Sequence, residues 1–509
     1  MSPYGIPDPP PVVPHGFNTE NYVARLNCVA NRFEIHPRLR GQYSQLASID
    51  PIVRGELKVG PPSRVSDWHP LLEKWGLQVF SAAGFINSTA YGGFGQGQMP
   101  EGRLTAATGH GPIHPLLRED MWQGLQRGEY SLMEPAMRLA SAILDDPETL
   151  RFFAGLMVPS DQMPYVNLPH IGRCPRFVPS PPLDVNAQAD TYKKLLDVRS
   201  YMAWGLVDME IMIDTHFAFG LTRPGLDGNG MVCDGARGPG TRSSVILMSR
   251  GYVDAVRMYV DADPTRTGLA RFVNDTQHLA SIPLEDRINI EEESAFARST
   301  ILFVDTLIHE LTHAICGAYF DIGLIKTSGM PKHSQVYEPF FGGDRCNETG
   351  HAMSSYLWRG NPLGICYWNM PQDVTSLWTQ QHIGPLGLWW ADKWDRWIFD
   401  KGNVGVKPRA MDAVDIGSLE RITPVPQAHV NKMFSNQLWH DEIHRFGLDA
   451  IRMPEMHDWS AMWTPLGIIK GAWGTGPDRW NDGPAPAPVP PAPAPPSPST
   501  DSEPGGVPL

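Results

Sequence analysis

From residue 288 to residue 320 the chain reads "INIEEESAFARSTILFVDTLIHELTHAICGAYF", and its apolar positions run almost all the way round a helical wheel. Ile301, Leu302, Phe303, Val304, Leu307, Ile308, Leu311 and Ile315 leave no wide polar stripe, so the pattern predicts one long buried helix. Glu291 to Glu293 would sit favourably at its positive end, and Ser294 or Ser299 is the expected cap.

Earlier, Leu139, Ile143 and their apolar neighbours recur at three- and four-residue steps, which makes 115–157 a helical region. Proline then blocks regular helix through 159–184, and a further helix is expected over about 190–206. "SSVILMSRGYV" (243–253) reads as a strand, and Ser243–Ser249 is a candidate edge against which an extended substrate could pair. The tryptophan-rich "GLWWADKWDRWIF" (387–399) is better read as a bulky core helix than as a sugar or lipid platform. "NETGHAMSSYLWRG" (347–360) starts a helix near Glu348.

These patterns divide the chain into a mainly helical, loop-rich N-terminal region (1–185), a second domain (186–479) and a disordered Pro/Ala-rich tail (480–509). The fold class expected is α+β. With 509 residues and 42% hydrophobic composition, the chain has ample material for a large core.

A net charge of −13 without a clustered basic footprint argues against a nucleic-acid partner. No run of about 18 uninterrupted apolar residues predicts a membrane span. The N-terminus lacks the basic and apolar regions of a secretory signal, so a cytoplasmic or nuclear location is the expectation. The six cysteines form no C-x-x-C pair, which excludes a zinc ribbon and a thioredoxin-like redox motif. Oligomeric state is left open.

The chemistry concentrates at "HELTH" (309–313). Residues four apart share a helix face, so His309 and His313 can turn two imidazoles toward one ion. Glu310, adjacent to the first, can reach a metal-activated water without ligating. With 17 His in 509 positions, chance produces this motif roughly 0.03 times per chain. Burying two imidazoles and a carboxylate is costly unless they pair or bind metal.

Two histidines do not complete a zinc site. Glu348 and His351 are both candidates for the third ligand, one turn apart. Asp305, four residues before His309, can accept a ligand histidine's second ring N–H or bond elsewhere. Tyr337, Arg345, His351 and Tyr356 are the candidates for oxyanion stabilisation.

"HELTH" followed by "NETGHAMSSYLWRG" resembles the zincin-type metallopeptidases, most closely the gluzincin branch with its downstream glutamate ligand. The resemblance spans about 240–360. It implies a zincin-like domain holding Zn2+ through His309, His313 and Glu348, with Glu310 as general base acting on a peptide or protein substrate. "TGHA" instead resembles the later histidine of SprT-like zinc proteases, which would make His351 the ligand. The metzincin pattern is absent, since Cys316 stands at its glycine position. A non-catalytic zincin-like module that binds a protein partner is the rival reading.

Two further histidine pairs share the spacing. "HDEIH" (440–444) lies in a more polar stretch and reads as a surface helix. Pro112 turns "HGPIH" (110–114) into a loop.

Overall fold

The computed structural model describes residues 3–9, 69–88, 112–168, 172–207, 219–224, 240, 242–260, 283–320, 338–344, 348–365, 385–391, 420–464 and 467–468. The tail at 480–509, Tyr337 and Arg345 lie outside the described residues.

Ten α-helices are described: α1 (Pro70–Trp75), α2 (Leu77–Ala82), α3 (Glu129–Leu144), α4 (Pro147–Leu156) and α5 (Val185–Val198). They continue with α6 (Gly251–Val260), α7 (Glu292–Tyr319), α8 (Thr349–Trp358), α9 (Gln427–Lys432) and α10 (Ile443–Phe446). The strands are β1 (Trp122–Gln123), β2 (Tyr165–Leu168), β3 (Gly172–Phe177), β4 (Met202–Val207), β5 (Gly220–Pro224) and β6 (Ser244–Ser249). After them come β7 (Phe340–Phe341), β8 (Asn361–Ile365), β9 (Gly387–Ala391), β10 (Glu420–Val425), β11 (Ala461–Thr464) and β12 (Gly467–Ile468). Helices and mixed sheets together make the fold α+β.

Helix α7 is the axis of the structure, as its apolar pattern predicts. Its apolar residues from Ala295 to Ala318 are buried, and each large one contributes about 1.5–3 kcal/mol through burial. By length and apolarity it is the one described helix able to cross a membrane, yet 72% of its most apolar window is buried inside the fold. The sides of α7 are covered by α3, α6, α8, β5 and β6.

Its cap is not a serine. Glu291 is the N-cap residue and makes no side-chain cap bond, while Ser294 and Ser299 lie inside the helix. Ser299 returns its hydroxyl to the Ala295 carbonyl. The Glu291 carboxylate accepts instead from Ser88 and Ser294, tying the helix start to the segment after α2.

Arg298 is fully buried one turn into α7. It donates to the carbonyls of Pro385 and Ile86 and to Gln427 Oε1, which stitches three distant segments to the helix. Burial pulls its guanidinium down to about 9, and the bonds offset part of the cost of enclosing a cation.

The four-stranded sheet has the order β1-β4-β6-β5. β4 and β6 run parallel with Val245 opposite Ala203, and β5 is antiparallel to β6 with Thr222 opposite Ile246. Every residue of β4 and β6 is buried, the continuous apolar character expected of strands covered on both faces. The strand read at 243–253 ends at Ser249, and Gly251 already begins α6. That strand is interior, and among the described strands β1 and β5 are the edges.

Other expectations shift in the same way. The helix expected over 190–206 begins at Val185, where the Asp184 carboxylate accepts from the Ala187 amide, and ends at Val198 before β4. Residues 115–121 form 3-10 turns, and regular helix starts only at Glu129. The loop-rich stretch 159–184 contains the antiparallel pair β2–β3.

The tryptophan-rich segment is strand, not helix, over its described part. β9 places buried Trp389 and Trp390 inside a five-stranded antiparallel sheet, order β12-β11-β10-β9-β8. A short apolar run buried on both faces carries no period that separates strand from helix. Described residues on both sides of position 185 join one hydrophobic cluster, α3 and α4 alongside α7 and β9.

Candidate metal centre

Two of the three converging groups come from α7. His309 and His313 share one face of the helix, and their Nε2 atoms stand 3.2 Å apart. Helix α8 brings the third. Glu348 is its N-cap residue, and its Oε2 accepts from the His351 amide at 2.5 Å. The other oxygen, Oε1, lies 2.7 Å from His313 Nε2 and 3.4 Å from His309 Nε2. One carboxylate therefore caps its helix and faces the imidazole pair at once.

Tetrahedral coordination with bonds of about 2.0–2.1 Å requires donors about 3.3 Å apart. The separations of 2.7, 3.2 and 3.4 Å bracket that value. Among the described residues this is the one His/Cys/Asp/Glu group with such convergence, and it can hold a metal ion.

Three further contacts hold the arrangement. His313 Nδ1 lies 2.7 Å from the carboxylate of Glu338, which also accepts from the amide of Thr349 at 2.9 Å. A neutral His313 that gives its Nδ1 hydrogen to Glu338 would turn the lone pair of Nε2 inward, the tautomer a metal requires. Asp305 accepts from Ser354 at 2.7 Å and Trp358 at 2.8 Å, so it pins α8 to α7. Of the two roles open to it, the structure shows bonding to α8. Gly350 makes the close approach feasible, because a Cβ there would fall 2.6 Å from the His309 ring.

No family model, curated protein or solved structure matches the chain. Function must then be argued from the site.

Its electrostatics favour a cation. Burial works against charging His313, but the carboxylates of Glu338 and Glu348 outweigh it and raise the ring well above its ordinary value. His309 is raised less: burial again opposes, and Glu348 provides the main compensation. Burial pushes Asp305 up to about 6, against its hydrogen bond from Ser354. Carboxylates that raise the imidazoles in this way suit a cation, and a divalent ion would compete with the proton for the same nitrogens.

Glu310 stands outside the converging group. Its Oε1 stands 4.0 Å from His309 Nε2, beyond direct hydrogen-bond reach and bridgeable by one water. Thr222 on β5 donates to its Oε2 at 2.7 Å.

Of the remaining sequence candidates, His351 packs edge-on against His309, with ring centroids 4.5 Å apart. It is outside the converging group, so Glu348 supplies the third donor. The amide of Asn361 pairs with His351 Nδ1. Tyr356 goes elsewhere: eight residues beyond Glu348, about 12 Å along the helix, its hydroxyl donates to the Glu148 carbonyl at 3.2 Å. Cys316 is buried, and burial raises its thiol well above the ordinary value, which suits a small core residue.

Glu338, Thr222 and Asn361 escape sequence reading. Each acts on a residue of the motif from a separate segment, and nothing local marks it.

Proposed function

We propose that this chain is a zinc-dependent hydrolase of peptide bonds, an endopeptidase built on a zincin-like domain. The observation carrying the reading is that Glu348 arrives from a second helix to complete the His309–His313 pair while Glu310 stays off the ligand set. Two nitrogens and one carboxylate oxygen in near-tetrahedral separation are a donor set suited to Zn2+ with a fourth position for water or substrate.

Zinc held by His309, His313 and Glu348 would supply Lewis acidity and bring a water's pKa toward neutrality. Glu310 then takes the proton of the attacking water on Oε1 and later delivers it to the departing amine nitrogen. Glu338 keeps His313 in its ligating tautomer. We assign His351 to the developing oxyanion. With the Asn361 amide donating to Nδ1, the ring hydrogen would sit on Nε2, a donor suited to that charge. The substrate is a peptide or protein segment.

Metal analysis together with a Glu310→Gln variant tests the reading. The purified chain is expected to carry about one equivalent of zinc, and the variant to keep it while losing at least about 10³-fold of peptide hydrolysis. Hydrolysis unchanged in the variant would leave the non-catalytic binding module as the better description. Failure to take up zinc would remove both.

A further inference from the structure

The strand that borders the metal centre does more to Glu310 than sit beside it. Among the described strands β5 lies at one edge of its sheet, and its register against β6 fixes Gly220 opposite Met248 and Thr222 opposite Ile246. Residues two apart on a strand face the same side, so Gly220 and Thr222 turn together toward α7.

Both meet the same side chain. Thr222 Oγ1 lies 2.7 Å from Glu310 Oε2 and 2.8 Å from Glu310's own carbonyl oxygen. A hydroxyl carries one hydrogen, and both of its acceptors here belong to Glu310. At Gly220 a Cβ would stand 2.6 Å from Glu310 Cγ, 2.7 Å from Thr306 Cγ2 and 2.9 Å from Glu310 Oε1. The backbone of Gly220 has no unusual φ to explain a glycine. The space its side chain would take is filled by the Glu310 side chain together with the Thr306 methyl.

We propose that Gly220 and Thr222 form a clamp that fixes the rotamer of Glu310, with Gly220 providing the room and Thr222 holding Oε2. Oε1 is thereby committed to the side of His309. The pair are positioning residues: they act through Glu310 and touch neither the ion's donors nor the reacting bond. The clamp rests on the hydrolase reading for its consequence in turnover, but its effect on Glu310 can be measured without turnover.

Acetohydroxamic acid is a suitable probe, because a zinc-bound hydroxamate gives its acidic proton to a carboxylate lying beside the metal. The test compares wild type, Thr222→Val, Thr222→Ser and Gly220→Ala in the zinc-loaded full chain. Zinc content, melting temperature, hydroxamate affinity by calorimetry, and kcat and KM on fluorescein-labelled casein are recorded for each. Valine matches the shape of threonine and removes only the donor, so folding should survive.

The clamp predicts that Thr222→Val keeps its zinc and its melting temperature while hydroxamate binding weakens about 10-fold, the loss of one charge-assisted bond. kcat should fall about 10²-fold with KM little changed, as expected when a reacting group is displaced by about an ångström. Thr222→Ser should return both quantities to within about 3-fold of wild type, a rescue that a purely structural need for the threonine methyl would not show. Gly220→Ala should match or exceed the valine variant, since its methyl displaces the carboxylate itself.

Hydroxamate affinity unchanged in Thr222→Val would overturn the clamp, as would a loss that serine fails to rescue. If wild-type chain leaves casein intact yet hydroxamate binding falls in Thr222→Val and recovers in Thr222→Ser, the clamp stands and the peptidase reading fails.

Discussion

Of the chain's three histidine pairs at four-residue spacing, two have both members described, and these differ in everything except the spacing. At 309–313 the pair lies in a buried helix, and a carboxylate from a second helix closes on it. At 440–444 the pair spans a π-helical turn and the start of α10, and both histidines are exposed. The acidic residues between them are otherwise engaged, Asp441 with Arg445 at 2.7 Å and Glu442 with Lys432. No third group converges there among the described residues. Four-residue spacing thus creates an opportunity for a metal, and the second segment decides whether it is used.

The sharpest way to break this comparison is to remove that second segment's contribution. Glu348→Ala should weaken zinc binding by more than about 10³-fold, measured by competition with a fluorescent chelator, and should turn the first pair into a buried copy of the second. Glu338→Gln tests the support beneath the site. It leaves three donors in place and should cost about 10- to 100-fold in zinc affinity.

Acidity provides a graded version. In the metal-free chain His313 is raised above its usual 6.5 by Glu338 and Glu348. A raised histidine stabilises the fold below the unfolded value, and that contribution is lost as pH rises through the folded one. Zinc binding needs the deprotonated ring and so strengthens over the same interval. The gap in melting temperature between zinc-loaded and chelated protein should widen as pH rises from about 6 to 9, and a gap constant over that range would contradict the proton–metal exchange. The smallest effect is expected at the other pair. His440→Gln with His444→Gln should leave zinc content unchanged and stability within about 0.5 kcal/mol, as for most exposed positions.

The third pair completes the contrast from the opposite direction. His114 is fully buried, its Nδ1 accepts from the Leu116 amide, and burial holds the ring down to about 3. It is a capping residue of a 3-10 turn, and its sequence partner His110 lies outside the described residues. Burial alone does not make a metal site either.

What could be read from sequence follows the range of the interaction. Helix α7 and its motif are local and periodic, and the pattern locates them within a few residues. The start of α8 is also legible, because Glu348 and the run after it are contiguous. Strand order is not: among the described strands β5 becomes an edge, and β6 interior, through pairings that the segments themselves do not encode. Trp389 and Trp390 mislead because bulky apolar residues suit a helix core and a doubly covered strand equally. Ser294 was an expected cap, but the chain enters α7 through Glu291 bonded to Ser88, a partner some two hundred residues away. The residues that tune the site, Glu338 and Thr222, are silent for the same reason.

The double duty of Glu348 has a dynamic consequence. The oxygen that starts α8 and the oxygen that faces the imidazoles belong to one rigid plane, so swinging this carboxylate away from an ion would also disturb the bond from the His351 amide. Hydrogen exchange at the amide of His351 should therefore slow when zinc binds, and exchange unchanged by zinc would show that the cap and the ligand act independently.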